Sequence, residues 1–261
     1  MVAIVFMVAG MSSRFGGNPK QMAKIGPNNE TLIEYSVNQA LKYNFSELIF
    51  ITNPKTSDLF QNLFKSNYKN RNVKYIQQTY DINKRSRPWG TTDAICCLLG
   101  NTSESFILVN GDDIYGEQTF ETGLNKMKDS INIIGGLPLF KTISNDGNVN
   151  RGIIEIHNNK VTKIKEMLNI SRTNNPELME KMGNVNFIGL QNNVLNLLNK
   201  ILMDFKKEYE NHSSIECFLT DNLNSLIENN DITMDFFEIK ENIIGLTNPE
   251  DEKIVKKLLA I

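Results

Sequence analysis

At 261 residues, 40% hydrophobic and 22% charged, the chain has the composition of a globular protein that can bury a substantial core. Its formal net charge of -2 gives no electrostatic reason to expect a nucleic-acid or anionic-membrane partner, so any phosphate site must be locally basic. No apolar run approaches the ~20 residues of a membrane helix, no secretory leader is evident, and the three cysteines fit neither a disulfide framework nor a zinc spacing, so a soluble cytoplasmic protein is expected.

The run Val2 to Val8 has the length of a buried strand, and Gly10 stops it where the chain must turn. Behind it Gly10, Gly16 and Gly17 allow close backbone approach, and Arg14 and Lys20 supply positive charge, as in a phosphate cradle. Taken alone, the loop serves equally as a plain strand-to-helix turn. It is neither a Walker loop, since Gly17 is followed by Asn18, nor a dinucleotide fingerprint, since Gly10-Met11-Ser12 does not begin one.

Asn29 is the expected cap of a helix carrying Leu32, Ile33, Val37, Ala40 and Leu41. Strands at 48–52 and 73–77 flank a helix at 54–64, and this alternation argues for a mostly parallel, helix-covered sheet whose ligands sit at the strands' carboxyl ends. Lys84 and Arg85 read as a solvated basic loop leading to the turn Pro88-Trp89-Gly90-Thr91, with Thr91 or Thr92 capping the next helix. The apolar strand 106–109 then closes on Asn110-Gly111-Asp112-Asp113. Carboxylates at the end of a buried strand need a cation, and a divalent metal with oxygen ligands is the simplest partner; the alternative is that one of them caps the helix beginning near Glu117.

From Ile131 the pattern changes to a glycine-marked strand, a hairpin turning at Asn158-Asn159, a strand at 186–190, helices at 192–209 and 214–228 with Asp221 facing solvent, and a strand at 232–239. Thr247-Asn248-Pro249-Glu250-Asp251 opens a last helix. His157 and His212 are isolated, and neither lies beside a candidate nucleophile.

Three of these stations together resemble the sugar-phosphate nucleotidyltransferases, the nucleotide-sugar pyrophosphorylase family, and more narrowly a bacterial nucleotidyltransferase subgroup. They are Ala9-Gly10-Met11-Ser12-Ser13-Arg14 with Lys20, Pro88-Trp89-Gly90-Thr91, and Asn110-Gly111-Asp112-Asp113. The likeness is good to about residue 120 and looser to about 190. It implies a three-layer α/β/α, Rossmann-like, mostly parallel mixed sheet of the nucleotidyltransferase (GT-A-like) type. The expected organisation is a single domain over 1–261, with a nucleotide-binding half (1–130) and an acceptor-binding half with the C-terminal helices (131–261).

The resemblance implies transfer of a nucleoside monophosphate from UTP, CTP or dTTP to a sugar 1-phosphate, with release of pyrophosphate and Mg²⁺ as cofactor. No covalent nucleophile is needed, because the protein positions reactants and neutralises charge. Arg14 and Lys20 are the expected catalytic residues, Arg14 on the triphosphate and Lys20 on the α-phosphate and acceptor phosphate. Ala9, Gly10, Met11, Ser12, Gln78, Gly90 and Thr91 are expected at the nucleotide, and Asp112 at the metal, with Thr247 and Asn248 as lesser candidates. Gly152, Lys165, Glu166 and Asn186 are expected at the acceptor, and Arg151 stands among the substrate-side positions. The family's Glu-Lys-Pro is here Glu166-Met167-Leu168, so its lysine is absent and Lys165 is the expected substitute. A cytidylyltransferase for a non-sugar phosphomonoester, a glycosyltransferase and a non-catalytic nucleotide binder remain open alternatives. A nucleoside triphosphate and a phosphomonoester are the expected partners, with neither nucleic acid nor membrane, and oligomerisation is compatible with the sequence.

Overall fold

A computed structural model describes residues 1–10, 19–129, 131–143, 148–246 and 251–259. The opening apolar run forms β1 (Val2–Met7), whose side chains alternate between two cores: Ala3 and Val5 enter one, Ile4 and Phe6 the other. A strand covered on both faces has no polar side to present, which is why it reads as a continuous apolar run. β2 (Glu47–Thr52), β4 (Arg71–Gln77) and β5 (Ser105–Asn110) lie parallel to it in the order β4-β2-β1-β5, and β3 (Asn67–Tyr68) borders β4 antiparallel. Helices α1 (Leu32–Ala40), α2 (Ser57–Phe64) and α4 (Glu117–Met127) supply the core around Ile4 and Phe6. Helices α3 (Thr91–Cys96), α5 (Val194–Glu208) and α6 (Leu219–Glu228) supply the one around Ala3 and Val5.

The second half adds β7 (Asn132–Pro138), β8 (Val149–His157), β9 (Lys160–Ile170), β10 (Met182–Leu190) and β11 (Met234–Glu238). β10 joins the sheet antiparallel to β5, the order continues β10-β7-β11-β9-β8, and β8 pairs again with β10. Five strands therefore close on themselves. The sheet is mixed, as expected, but not mostly parallel: parallel pairing is confined to β4-β2-β1-β5 and to β7 with β11. The antiparallel pairings come from the β8–β9 hairpin and from β10, which runs antiparallel to β5, β7 and β8, while register shifts in β8–β9 and β10 bend these strands toward closure. Asn158 (φ 49°) and Asn159 (φ 62°) take the left-handed conformations of a tight hairpin turn. At the seam, a Cβ on Gly136 would lie 2.7 Å from the Gly183 carbonyl oxygen, so a side chain there would push β7 off β10.

A small sheet pairs β6 (Asp113–Ile114) with β12 (Ile244–Gly245), and α7 (Asp251–Leu259) follows. Ile25, Leu32, Ile114, Leu246 and Val255 form a separate apolar cluster that holds this C-terminal segment against the first half. The cap of α1 is Thr31, not Asn29: Thr31 and Glu34 form a reciprocal capping box, while Asn29 sits at φ 67° in the preceding turn. Among the described residues no helix is long and apolar enough to cross a membrane.

Candidate active site

β1 lies between β2 and β5, so the chain leaves it toward opposite sides on successive excursions, and the carboxyl ends of β1 and β5 diverge there. Ala9 and Gly10 follow β1, and Asn110-Gly111-Asp112 follow β5. The two segments touch: the Gly111 amide donates to the Met7 carbonyl at 3.0 Å, and a Cβ on Gly111 would stand 2.3 Å from the Val8 side chain. Glycine at 111 is thus required by the approach, and it sets Asp112 beside the first loop. Ala9 is buried, with its carbonyl accepting from the Asn53 amide at 3.0 Å, and Gly10 is exposed with open space over its Cα.

Lys20, on a single 3₁₀ turn (Lys20–Met22), ion-pairs with the Asp112 carboxylate and donates to the Leu246 carbonyl at 3.0 Å. Both side chains keep about a quarter of their surface exposed, 25% and 24%, so the pair is open to a ligand. Neither carboxylate caps α4. That end is served from 122 residues away by Glu241, whose Oε2 accepts from the Thr119 amide at 2.7 Å. The strand-end acids are therefore not explained by capping. Of the other expected site residues, Met11, Ser12, Arg14, Thr247 and Asn248 lie outside the described residues.

Asp113 is held by a chain of carboxamides. The Asn110 Nδ2 donates to Asp113 Oδ2 at 2.8 Å, Asn186 Nδ2 donates to Asn110 Oδ1 at 3.3 Å, and Asn184 Nδ2 donates to Asn186 Oδ1 at 3.1 Å. This row crosses from β5 to β10, where Asn186 takes φ 59° at the register shift between Asn184 and Phe187. Burial, reinforced by Asp112 alongside, pushes the Asp113 carboxyl up to about 6, against the Asn110 hydrogen bond and the charges of Arg151 and Lys20.

The expected base-side turn is built but tightly engaged. Gly90 (φ 101°) starts α3, and any Cβ there would lie 2.6 Å from the Cys217 carbonyl oxygen. Gln78 is buried and its Nε2 donates to the Gly90 carbonyl (3.0 Å) and to Asp93 (2.8 Å), so this amide nitrogen fixes the turn. The Thr91 hydroxyl accepts from the Leu219 amide at 2.9 Å, tying α3 to α6, and no side chain caps α3. Arg85 corrects the solvated-loop reading: it is 4% exposed, stacks 3.4 Å from the Trp89 ring centroid and donates to the His212 carbonyl at 2.6 Å, whereas Lys84 is exposed.

Of the residues expected at the acceptor, Gly152 faces Glu166 across the β8–β9 ladder, and a Cβ on it would meet Thr220 at 2.8 Å and Asn184 at 3.4 Å. Burial, and next the charge of Asp221, raise the Glu166 carboxyl above its usual range; Arg151 and the Thr220 hydroxyl act the other way. Asp221 is exposed, as expected, and desolvation raises its carboxyl too. Lys165 is exposed, next to Ile164 and Glu166 on the alternating strand. The cation whose charge reaches both Asp113 and Glu166 is Arg151.

A family model described as nucleotidyl transferase matches residues 16–241. The chain belongs to the nucleotidyl transferase family. Solved structures similar to this nucleotidyltransferase span its whole length. One is a Bacillus anthracis protein assigned as a glucose-1-phosphate thymidylyltransferase, solved with a sucrose (TM-score 0.75, 11% identity, 100% of this chain and 96% of that one). Another is a UDP-glucose pyrophosphorylase from Acinetobacter baumanii (TM-score 0.70, 15% identity, 98% and 92%). A third is the inositol-1-phosphate CTP transferase from T. maritima (TM-score 0.68, 12% identity, 99% and 94%). At these identities the likeness is one of fold. No curated protein sequence matches the chain.

Proposed function

We propose that this nucleotidyltransferase moves a nucleoside monophosphate from a pyrimidine nucleoside triphosphate to a sugar 1-phosphate and releases pyrophosphate. The observation that carries the reading is the Lys20–Asp112 pair at the diverging ends of β1 and β5, with about a quarter of each side chain open to a ligand. Residues 1–130 would hold the triphosphate and 131–261 the acceptor. In-line attack of a phosphomonoester oxygen on the α-phosphate asks the protein for alignment and charge neutralisation, which a lysine would provide directly and the paired carboxylates through a cation that they hold.

The donor set suits Mg²⁺. Asp112 and Asp113 offer hard oxygen ligands, and among the described residues no group of three or more His, Cys, Asp or Glu could hold a metal on its own. Mg²⁺ commonly takes one or two carboxylates and completes its shell with phosphate and water. When bound it would neutralise charge on the phosphate oxygens as pyrophosphate departs. Lys20 would leave Asp112 for the α-phosphate and the incoming acceptor oxygen, and Asn110 would keep the Asp113 carboxylate oriented. Arg14 is assigned to the triphosphate by the resemblance, and Glu166, Gly152 and Asn186 line the acceptor side.

The test is a pyrophosphate-release screen crossing the common triphosphates with sugar 1-phosphates and other phosphomonoesters. Lys20→Ala and Asp112→Ala are each expected to lower turnover by about 10²–10⁴-fold with the fold retained by circular dichroism. Near-normal turnover in a folded Asp112→Ala protein would remove the metal assignment, and release with CTP and only non-sugar acceptors would move the acceptor class.

A further inference from the structure

Arg151 is half-buried at the start of the closed strands, and among the described residues its side chain makes neither a hydrogen bond nor an ion pair. Its Nε is buried with no partner. A guanidinium carries five donors in a planar fork, and burying even the Nε donor unused is costly unless an anion completes the site, with the rest of the fork free to grip it. The carboxylates nearest in effect do not supply one: Asp113 takes its hydrogen bond from Asn110, and Glu166 takes its from Thr220.

The ladder shows where this charge stands. Arg151 pairs directly with Met167 across β8–β9, and directly paired residues share a face of the sheet. Position 167, which follows Glu166, carries an uncharged thioether. Lys165, the nearest lysine along β9, is exposed. A cation is therefore present on the same hairpin face, carried by the opposite strand. Gly152 and Glu166, the next pair along, present the other face, where Asn184 stands beside Gly152; the charge of Arg151 nevertheless reaches Asp113 at the end of β5 and Glu166 on the hairpin.

We propose that the Arg151 guanidinium binds the phosphate of the acceptor and holds it toward Lys20 and Asp112. The assignment rests on the nucleotidyl-transfer reading for its reaction, but its ligand chemistry, a phosphomonoester dianion gripped by the guanidinium fork, does not need turnover to be measured.

The experiment uses the full chain with saturating triphosphate and inorganic phosphate as the probe, followed by calorimetry. Arg151→Met is expected to weaken phosphate binding about 10- to 100-fold, in line with the loss of hydrogen bonds to a charged group, and Arg151→Lys to fall between it and the unmodified chain. In steady-state assays the acceptor KM should rise while the triphosphate KM stays unchanged. Arg151→Gln serves if the methionine variant does not fold. Unchanged phosphate affinity, an equal rise in both KM values, or loss of affinity in Lys165→Met but not in Arg151→Met would overturn the assignment. If the unmodified chain releases no pyrophosphate with any acceptor, the proposed reaction falls, while the phosphate titration still decides the role of Arg151.

Discussion

Glu166 shows a single residue held against its own stability. Its carboxyl is raised above the ordinary 4.5 by burial and by Asp221, so over the window between 4.5 and the raised value the folded state binds more protons than the unfolded one. Stability contributed by the protonated acid is then fully present below the unfolded pKa and is lost as pH rises through the folded one. Glu166→Gln keeps the shape and can still accept from Thr220, so thermal melts should show it more stable than the unmodified chain at pH 7, with the difference shrinking as pH falls below 4.5. An equal melting temperature at both pH values would mean that the charge carries no penalty. Such a cost is expected where a buried carboxylate serves a ligand. At this scale the sequence singled out Lys20 and Asp112, which the fold brings into one ion pair, because charge beside glycine at the end of an apolar strand has few bland explanations. Arg85 stayed hidden for the opposite reason: a basic residue in a loop is usually solvated, and only the packed chain shows it buried under Trp89, just as only the packed chain shows that Arg151, singled out by the resemblance alone, has a buried Nε without a partner.

Among the elements, strands and helices of the first half were legible from periodicity, since each buries a regular face, but their ends were set by partners distant in sequence. The helix after the first loop starts at Thr31 because only there can Glu34 reach back to the cap amide, giving bonds of 2.9 Å to Thr31 N and 3.2 Å from Glu34 N. Thr31→Ala should cost about 1 kcal/mol and lower the melting temperature by about 2–4 °C; no shift would mean that the box is redundant with the packing of Leu32 and Ile33. α4 could not have been read this way, because its cap is Glu241, brought 122 residues along the chain to Thr119. The second-half closure was equally invisible. Bulges at β8–β9 and at Asn184–Phe187 decide which strand edges meet, and no periodicity encodes such an encounter.

At the level of the whole molecule, the C-terminal segment completes the site without joining either main core. Leu246 and Val255 pack on Ile25, Leu32 and Ile114, while the two large clusters are assembled from residues up to Ile243. The same segment lends Lys20 its second partner, the Leu246 carbonyl, and pairs Gly245 with Asp113, where a Cβ would strike Asp113 Oδ1 at 2.4 Å. Removing residues 244–261 should therefore leave the sheet and its two cores folded while freeing the lysine and uncovering the strand-end acids. Loss of two buried apolar side chains sets the cost at about 3–6 kcal/mol. Far-UV circular dichroism of the shortened chain should keep its native shape, its melting temperature should fall, and pyrophosphate release should drop with it. Turnover equal to that of the full chain would show that Lys20 and Asp112 are positioned by the ends of β1 and β5 alone, and that the late segment only shields them.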